Sequence, residues 1–187
     1  MALTSTAHHI IAAHFGPRLK NDTELTAIDA TCGNGNDTLF LLQLGMAQVF
    51  AFDVQDNAIR ETSKLCAAYS PPRLMMVAKS HTEVSKVVPQ KIDCAMFNLG
   101  YLPGADRSIT TQEASSVSAI EQVIDQLTIG GIMSVICYPG HPNGFAETAA
   151  VATALQTQGS NASFTLTRYD SQRPTSTTPV LFILAKH

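Results

Sequence analysis

The sequence predicts a doubly wound α/β fold: a mostly parallel seven-stranded sheet, helices on both faces, and a C-terminal antiparallel hairpin. Three observations carry this. Short segments that are apolar nearly throughout alternate with segments of helical period, the pattern of parallel strands covered on both faces. A glycine turn follows the first apolar segment, and an acidic residue ends the second, as in Rossmann-like sheets. The last two apolar segments have no helix between them, so they pair antiparallel.

Each element follows from its residues. LTAIDA (25–30) reads as the first strand, CGNGN as a turn, and 37–45 as a helix. VFAFD (49–53) is the second strand, and 57–69 repeats apolar residues at helical spacing. LMMVA (74–78) and IDCAMF (92–97) are strands three and four. The helix over 115–127 is stopped by Gly130 and Gly131, which suit a helix end and turn. IMSVICY (132–138) is strand five, and 145–159 is a helix ending at a glycine. SFTLTRY and PVLFILAK close the sheet, joined by the polar surface loop DSQRPTSTT. A first helix carries His8, His9 and His14. No Cys, Asp or Glu stands at matching spacing to make those histidines a metal site.

The 187 residues suit one domain spanning 1–187. Hydrophobic residues make up 45%, which excludes a disordered chain. The formal net charge of −3 gives no global basic footprint, so a nucleic-acid partner needs a local patch. Arg18, Lys20, Lys64, Arg73, Lys79, Arg107, Arg168 and Arg173 are candidates for it. No apolar run is long enough to span a membrane. The first twenty residues lack the basic and apolar regions of a signal peptide, so the chain reads as cytoplasmic. Cys32, Cys66, Cys94 and Cys137 form no CxxC pair and read as reduced, buried thiols.

Ligands of open α/β sheets bind beyond the carboxyl ends of the strands. Gly33 and Gly35 lie at such an end and let the backbone turn sharply. Asp53 ends the second strand, where a carboxylate can accept both hydroxyls of a ribose. A dinucleotide would need GxGxxG and a pyrophosphate on the helix N-terminus. Here the third glycine is missing and Asp37 would face the phosphates. S-adenosylmethionine carries no phosphate, and Asp29 and Asp37 suit its cationic end. The residues favour S-adenosylmethionine over a dinucleotide oxidoreductase. A non-enzymatic nucleoside-binding module stays open at this point.

DATCGNGNDTLFL (29–41), FAFDVQ (50–55), KSH (79–81), FNLGYLPGADRSITT (97–111) and YPGHPNGFAE (138–147) occur together and in this order. With Ala7-His8 they closely resemble the small bacterial class I methyltransferases once labelled "putative rRNA methylases", the YtqB-like family. The resemblance covers nearly the whole chain. It implies S-adenosylmethionine as methyl donor. It also implies a tRNA acceptor: the amine of 5-aminomethyl-2-thiouridine at the wobble position. By resemblance, Asp29, Gly33, Asn34, Gly35, Asp37 and Thr38 line the methionine end. Asp53 and Gln55 take the ribose and the adenosine edge, and Ser80 and His81 lie near the adenine. Thr82 stands where an acidic residue is common, Ala105 where a glycine is, and DSQRPTSTTP replaces a short polar loop.

The segment NLGY resembles the NPPY-type loop of methyltransferases acting on nitrogen. The Asn98 side-chain oxygen and the Leu99 carbonyl would accept hydrogen bonds from an amine. Gly100 would admit close approach to the cofactor, and Tyr101 would pack on the base. Methyl transfer needs a free lone pair in line with the methyl group. An alkylamine has a solution pKa of roughly 10 and arrives as ammonium. Neutral acceptors and desolvation favour its neutral form. His141 is a candidate proton acceptor. Asp106, Arg107 and Ser108 read as substrate-loop residues, with Arg107 toward an anticodon phosphate. Tyr138, Gly140 and His141 would form the opposite wall. Two acceptors remain beside tRNA: another RNA such as rRNA, and a small-molecule amine. A homodimer would widen the RNA footprint.

Overall fold

The structure, a computed structural model, describes residues 2–100, 110–141, 143–171 and 173–187. Seven strands form one sheet in the order β3-β2-β1-β4-β5-β7-β6. They are β1 (Thr26–Asp29), β2 (Gln48–Phe52), β3 (Leu74–Val77), β4 (Ile92–Asn98), β5 (Leu127–Cys137), β6 (Phe164–Asp170) and β7 (Val180–Lys186). The first five pair in parallel. β7 runs antiparallel between β5 and β6. The strand order reverses between β1 and β4, so the crevice at their carboxyl ends is the place for a ligand.

Among the described residues, six α-helices flank the sheet: α1 (Leu3–Phe15), α2 (Asn36–Leu44), α3 (Asp56–Leu65), α4 (Val84–Val87), α5 (Glu113–Gln126) and α6 (Gly144–Gly159). Alternation along β4 shows why its apolar run is continuous. Ile92, Ala95 and Phe97 pack with Ile120, Val123 and Val151 of α5 and α6 on one face. Cys94 and Met96 pack with Ile11, Phe15 and Leu41 of α1 and α2 on the other. Both faces are dry, so both sets of side chains are apolar. All four cysteines are buried and free.

Three boundaries differ from the sequence reading. Gly130 and Gly131 do not end a helix; they lie inside β5, which starts at Leu127. The register moves from Ile92↔Leu127 to Cys94↔Ile132, so the extra residues of β5 bulge outward. Gly130 supplies the φ of +74° at that bulge. The helix read over 57–69 ends at Leu65. The four-residue α4 was too short to show a period.

Candidate active site

The turn after β1 is held by backbone contacts to β2. The Cys32 N–H donates to the Phe52 carbonyl at 2.8 Å, and the Gly35 N–H to the Cys32 carbonyl at 2.7 Å. Gly35 has φ +84°, and a Cβ there would meet the Thr62 Cα of α3 at 2.9 Å. No other residue suits that close approach. The Thr62 hydroxyl donates to the Gly33 carbonyl at 3.1 Å. Asp53, just past β2, accepts the Gly33 N–H at 3.0 Å and the Gln55 N–H at 2.9 Å. Each carboxylate oxygen keeps a second lone pair for a ligand hydroxyl.

Beyond β4, the Asn98 N–H donates to the Thr31 hydroxyl at 2.8 Å. Its side-chain Nδ2 donates to Asp37 Oδ2 at 3.2 Å. Asp37 Oδ1 meets His8 Nε2 at 2.6 Å, and the His8 ring stacks on Phe40 at 3.9 Å. The Leu99 N–H donates to the Ile136 carbonyl, fixing the strand end. Gly100, at φ +141°, is tied to Thr111 twice: its N–H donates to the hydroxyl, and its carbonyl accepts the Thr111 N–H. A Cβ on Gly100 would stand 3.7 Å from the Tyr138 ring and 3.8 Å from His141 Nε2, so the two walls face each other there. Burial pushes the Tyr138 phenol up, against its hydrogen bond with Thr4 of α1.

These groups surround one cleft of about 730 Å³, the size of a cofactor site with room for an acceptor. Gly33, Asn34, Asp37, Asp53, Gln55, Ser80, His81, Asn98, Leu99, Gly100, Tyr138, Gly140 and His141 line it. Asp29, Gly35 and Thr38, read as cofactor contacts, are absent from its lining. Asp29 is fully buried and accepts the Thr38 hydroxyl at 2.6 Å, so this pair supports the wall from behind. Burial first, and then the charge of Asp37, raises the Asp29 carboxyl from 3.8 to about 8. Desolvation keeps His81 neutral, with its pKa lowered, and its ring edge meets Phe97. Tyr101, Asp106, Arg107 and Ser108 lie outside the described residues.

The sequence reading missed Thr4, Thr31, Val54 and Thr177, which also line the cleft. Thr4 and Thr177 arrive from the two ends of the chain and carried no local signal. Val54 is 61% exposed, an apolar side chain left bare beside Asp53. Among the described residues, no cluster of His, Cys, Asp or Glu could hold a metal. No helix there is long and apolar enough to cross a membrane.

The family model described as "Putative rRNA methylase" matches residues 49–185. The chain belongs to this family. Two solved structures cover it almost end to end. A "putative rRNA-methylase" from Clostridium thermocellum is 33% identical, with TM-score 0.85, over 98% of this chain and 97% of that one. A "putative methyltransferase" from Streptococcus mutans, solved with SAH, is 31% identical, with TM-score 0.85, over 100% and 99%. A chloroplastic tRNA (mnm(5)s(2)U34)-methyltransferase of Arabidopsis thaliana is 38% identical over 139 residues, 67% of this chain. The chain spans about half the length of that curated relative (51%).

The family and the SAH-bound relative make this an S-adenosylmethionine-dependent methyltransferase with a class I fold. The cleft fits that cofactor. Its glycine turn carries the acid Asp37 and no basic side chain, which suits a ligand without phosphates. Asp53 would hold the ribose, and the Gly33–Asn34 backbone the methionine end. When bound, the cofactor supplies an electrophilic methyl group. The chain's own residues have two tasks: to place an acceptor in line and to exclude water.

Proposed function

We propose that the acceptor is the amine of a 5-aminomethyl-2-thiouridine at the wobble position of tRNA. The observation that carries this is the arrangement of Asn98. Its Nδ2 is committed to Asp37, which leaves its oxygen to accept an N–H, as an amine requires. The likeness to the Arabidopsis tRNA (mnm(5)s(2)U34)-methyltransferase supports the identity of that amine. In this reading Asn98 and the Leu99 carbonyl orient the amine, while the buried wall disfavours its charged form. His141 and Tyr138 face Gly100 across the cleft; in this reading His141 takes the amine's proton and Tyr138 contacts the base. Gly140 shapes the rim, where a Cβ would meet the Thr177 carbonyl at 3.0 Å. Tyr101, Asp106, Arg107 and Ser108 belong to the substrate loop, and Arg107 meets the anticodon backbone. The enzyme acts in the cytoplasm, alone or as a homodimer.

A second reading, ribosomal RNA as acceptor, has one observation in its favour. Ribosomal RNA small subunit methyltransferase H of Bartonella bacilliformis is 34% identical over 92 residues, 27% of that protein. Labelled S-adenosylmethionine with tRNA bearing or lacking the aminomethyl group, and in parallel with ribosomal RNA, followed by nucleoside mass analysis, separates the readings. Label on the wobble base only when the amine is present supports the tRNA reading. Label on ribosomal RNA alone supports the other. Bound cofactor with neither RNA labelled overturns both.

A further inference from the structure

We propose that the loop between β6 and β7 is an RNA-backbone contact of the cleft, with Arg173 taking a phosphate beside the nucleoside that enters. This inference rests on the RNA acceptor proposed above. The sheet puts the loop at the right edge. Val180, the first residue of β7, pairs with Cys137 at the end of β5 and with Asp170 at the end of β6. Asn98 pairs with Ile136 at the same level. The loop that joins β6 to β7 therefore leaves the sheet where Asn98 and Tyr138 stand. Thr177 of this loop lines the cleft. Its carbonyl packs on Gly140, where a Cβ would stand 3.0 Å away.

The loop is shaped before RNA arrives. The Thr175 N–H donates to the Thr178 hydroxyl at 3.0 Å, and that hydroxyl donates to the Thr175 carbonyl at 3.0 Å. The Thr175 and Thr177 hydroxyls meet at 3.1 Å. A turn closed by its own hydroxyls loses less entropy when a partner binds. Arg173 lies four residues before Thr177, a stretch that spans at most about 14 Å. Arg173 is exposed and has no ion-pair or hydrogen-bond partner among the described residues. Its planar fork of N–H donors suits two oxygens of one phosphate.

Other cations offered by the sequence are engaged within the fold. Arg18 binds Asp93 and the Gly130 carbonyl at the opposite edge of the sheet. Arg73 donates to the Leu42 carbonyl. Lys64 pairs with Glu61, Lys79 with Glu83 and Arg168 with Asp170. The last pair neutralises the acid that precedes the loop, so Asp170 does not compete for Arg173. The cleft itself sorts the substrate by charge. Asp37 and Asp53 line its interior, and fixed anions repel a phosphate. The base enters, and the backbone stays at the rim, where Arg173 supplies the opposite charge. With a formal net charge of −3, the chain needs such a local contact to hold a polyanion.

The test uses the full chain with R173A, R173K and R173E, and K20A as the control. Lys20 is exposed beside Arg18, away from the cleft. The first readout is binding of a synthetic RNA hairpin of anticodon stem-loop sequence, followed across a salt series. R173A is expected to weaken that binding about 10-fold, the size of one hydrogen-bonded charge contact. Its log–log salt slope should drop by about 1, the loss of one phosphate contact. R173K should keep most of the slope, because the charge stays, and R173E should bind more weakly than R173A. K20A should match wild type. The second readout is turnover of tRNA carrying the aminomethyl uridine. In R173A, KM should rise about 10-fold while kcat stays within about 2-fold. Wild-type affinity and salt slope in R173A would overturn the proposal, as would equal losses in R173A and K20A, or a wild-type chain that binds no hairpin. If the wild type methylates no amine-bearing tRNA, the substrate reading fails, while the salt series still decides the role of Arg173.

Discussion

Asn98 at the end of β4 and Asp37 at the start of α2 are 61 positions apart and joined by a 3.2 Å hydrogen bond across the crevice between β1 and β4. One acid thereby joins the start of α2, next to the glycine turn, to the chain that leaves β4. Truncating either residue has separable consequences for binding and for chemistry.

If the acceptor is the proposed amine, Asn98→Ala removes the oxygen that orients it, which matters only once the acceptor is in place. Turnover should fall about 100-fold or more, since misplacement by about 1 Å has effects of that size. Cofactor affinity should stay within about 3-fold by titration calorimetry. Unchanged single-turnover methyl transfer would remove Asn98 from the mechanism.

Asp53→Ala has the opposite signature. It frees the N–H groups of Gly33 and Gln55 and, in the proposed binding mode, removes the acceptor for the ribose. Hydrogen bonds to a charged group contribute about 1.5–3 kcal/mol each. Cofactor affinity should therefore weaken at least about 10-fold. Calorimetry with S-adenosylhomocysteine reads this directly, and wild-type affinity would mean that the ribose is held elsewhere.

The Asp29 carboxyl titrates near 3.8 in the unfolded chain and near 8 in the fold. Between those values the folded chain holds a proton that the unfolded chain has released. Stability from this group therefore falls as pH rises from about 4 to about 8. Asp29→Asn abolishes the titration and keeps an acceptor for the Thr38 hydroxyl. The melting temperature of the variant relative to wild type should climb across that window. A difference that stays flat from pH 5 to 8 would show that Asp29 ionises normally.

The strands were legible because parallel strands covered on both faces have no polar side to hide them. Asp53 and the glycine turn were legible because their spacing is local. Gly130 and Gly131 misled because a glycine in a strand bulge has the composition of a helix stop. The contact between His8 and Asp37 spans 29 residues, and no periodicity links a first helix to the turn it covers. Nor does sequence say which acid faces the crevice. Asp29 ends β1 pointing into the protein, while Asp37, in the first turn of the next helix, lines the cleft.

The opposite end of the sheet offers a prediction about stability alone. Asp93 on β4 is buried and accepts from the Thr26 N–H, the Thr128 hydroxyl and Arg18. Arg18 also donates to the Gly130 carbonyl at 2.7 Å, so one guanidinium ties the segment after α1 to the bulge of β5. Arg18→Ala leaves Asp93 with two donors, and its side chain is 30% exposed. The loss should be modest, about 1 kcal/mol. Asp93→Ala strips three donors of their acceptor, including a buried backbone N–H, and should remove about 3 kcal/mol. Urea unfolding with unchanged m-values checks the order. The cofactor affinity of both variants should match wild type, because neither residue lines the cleft. Equal losses from the two substitutions would mean that the ion pair, and not the acceptor role of Asp93, holds this corner.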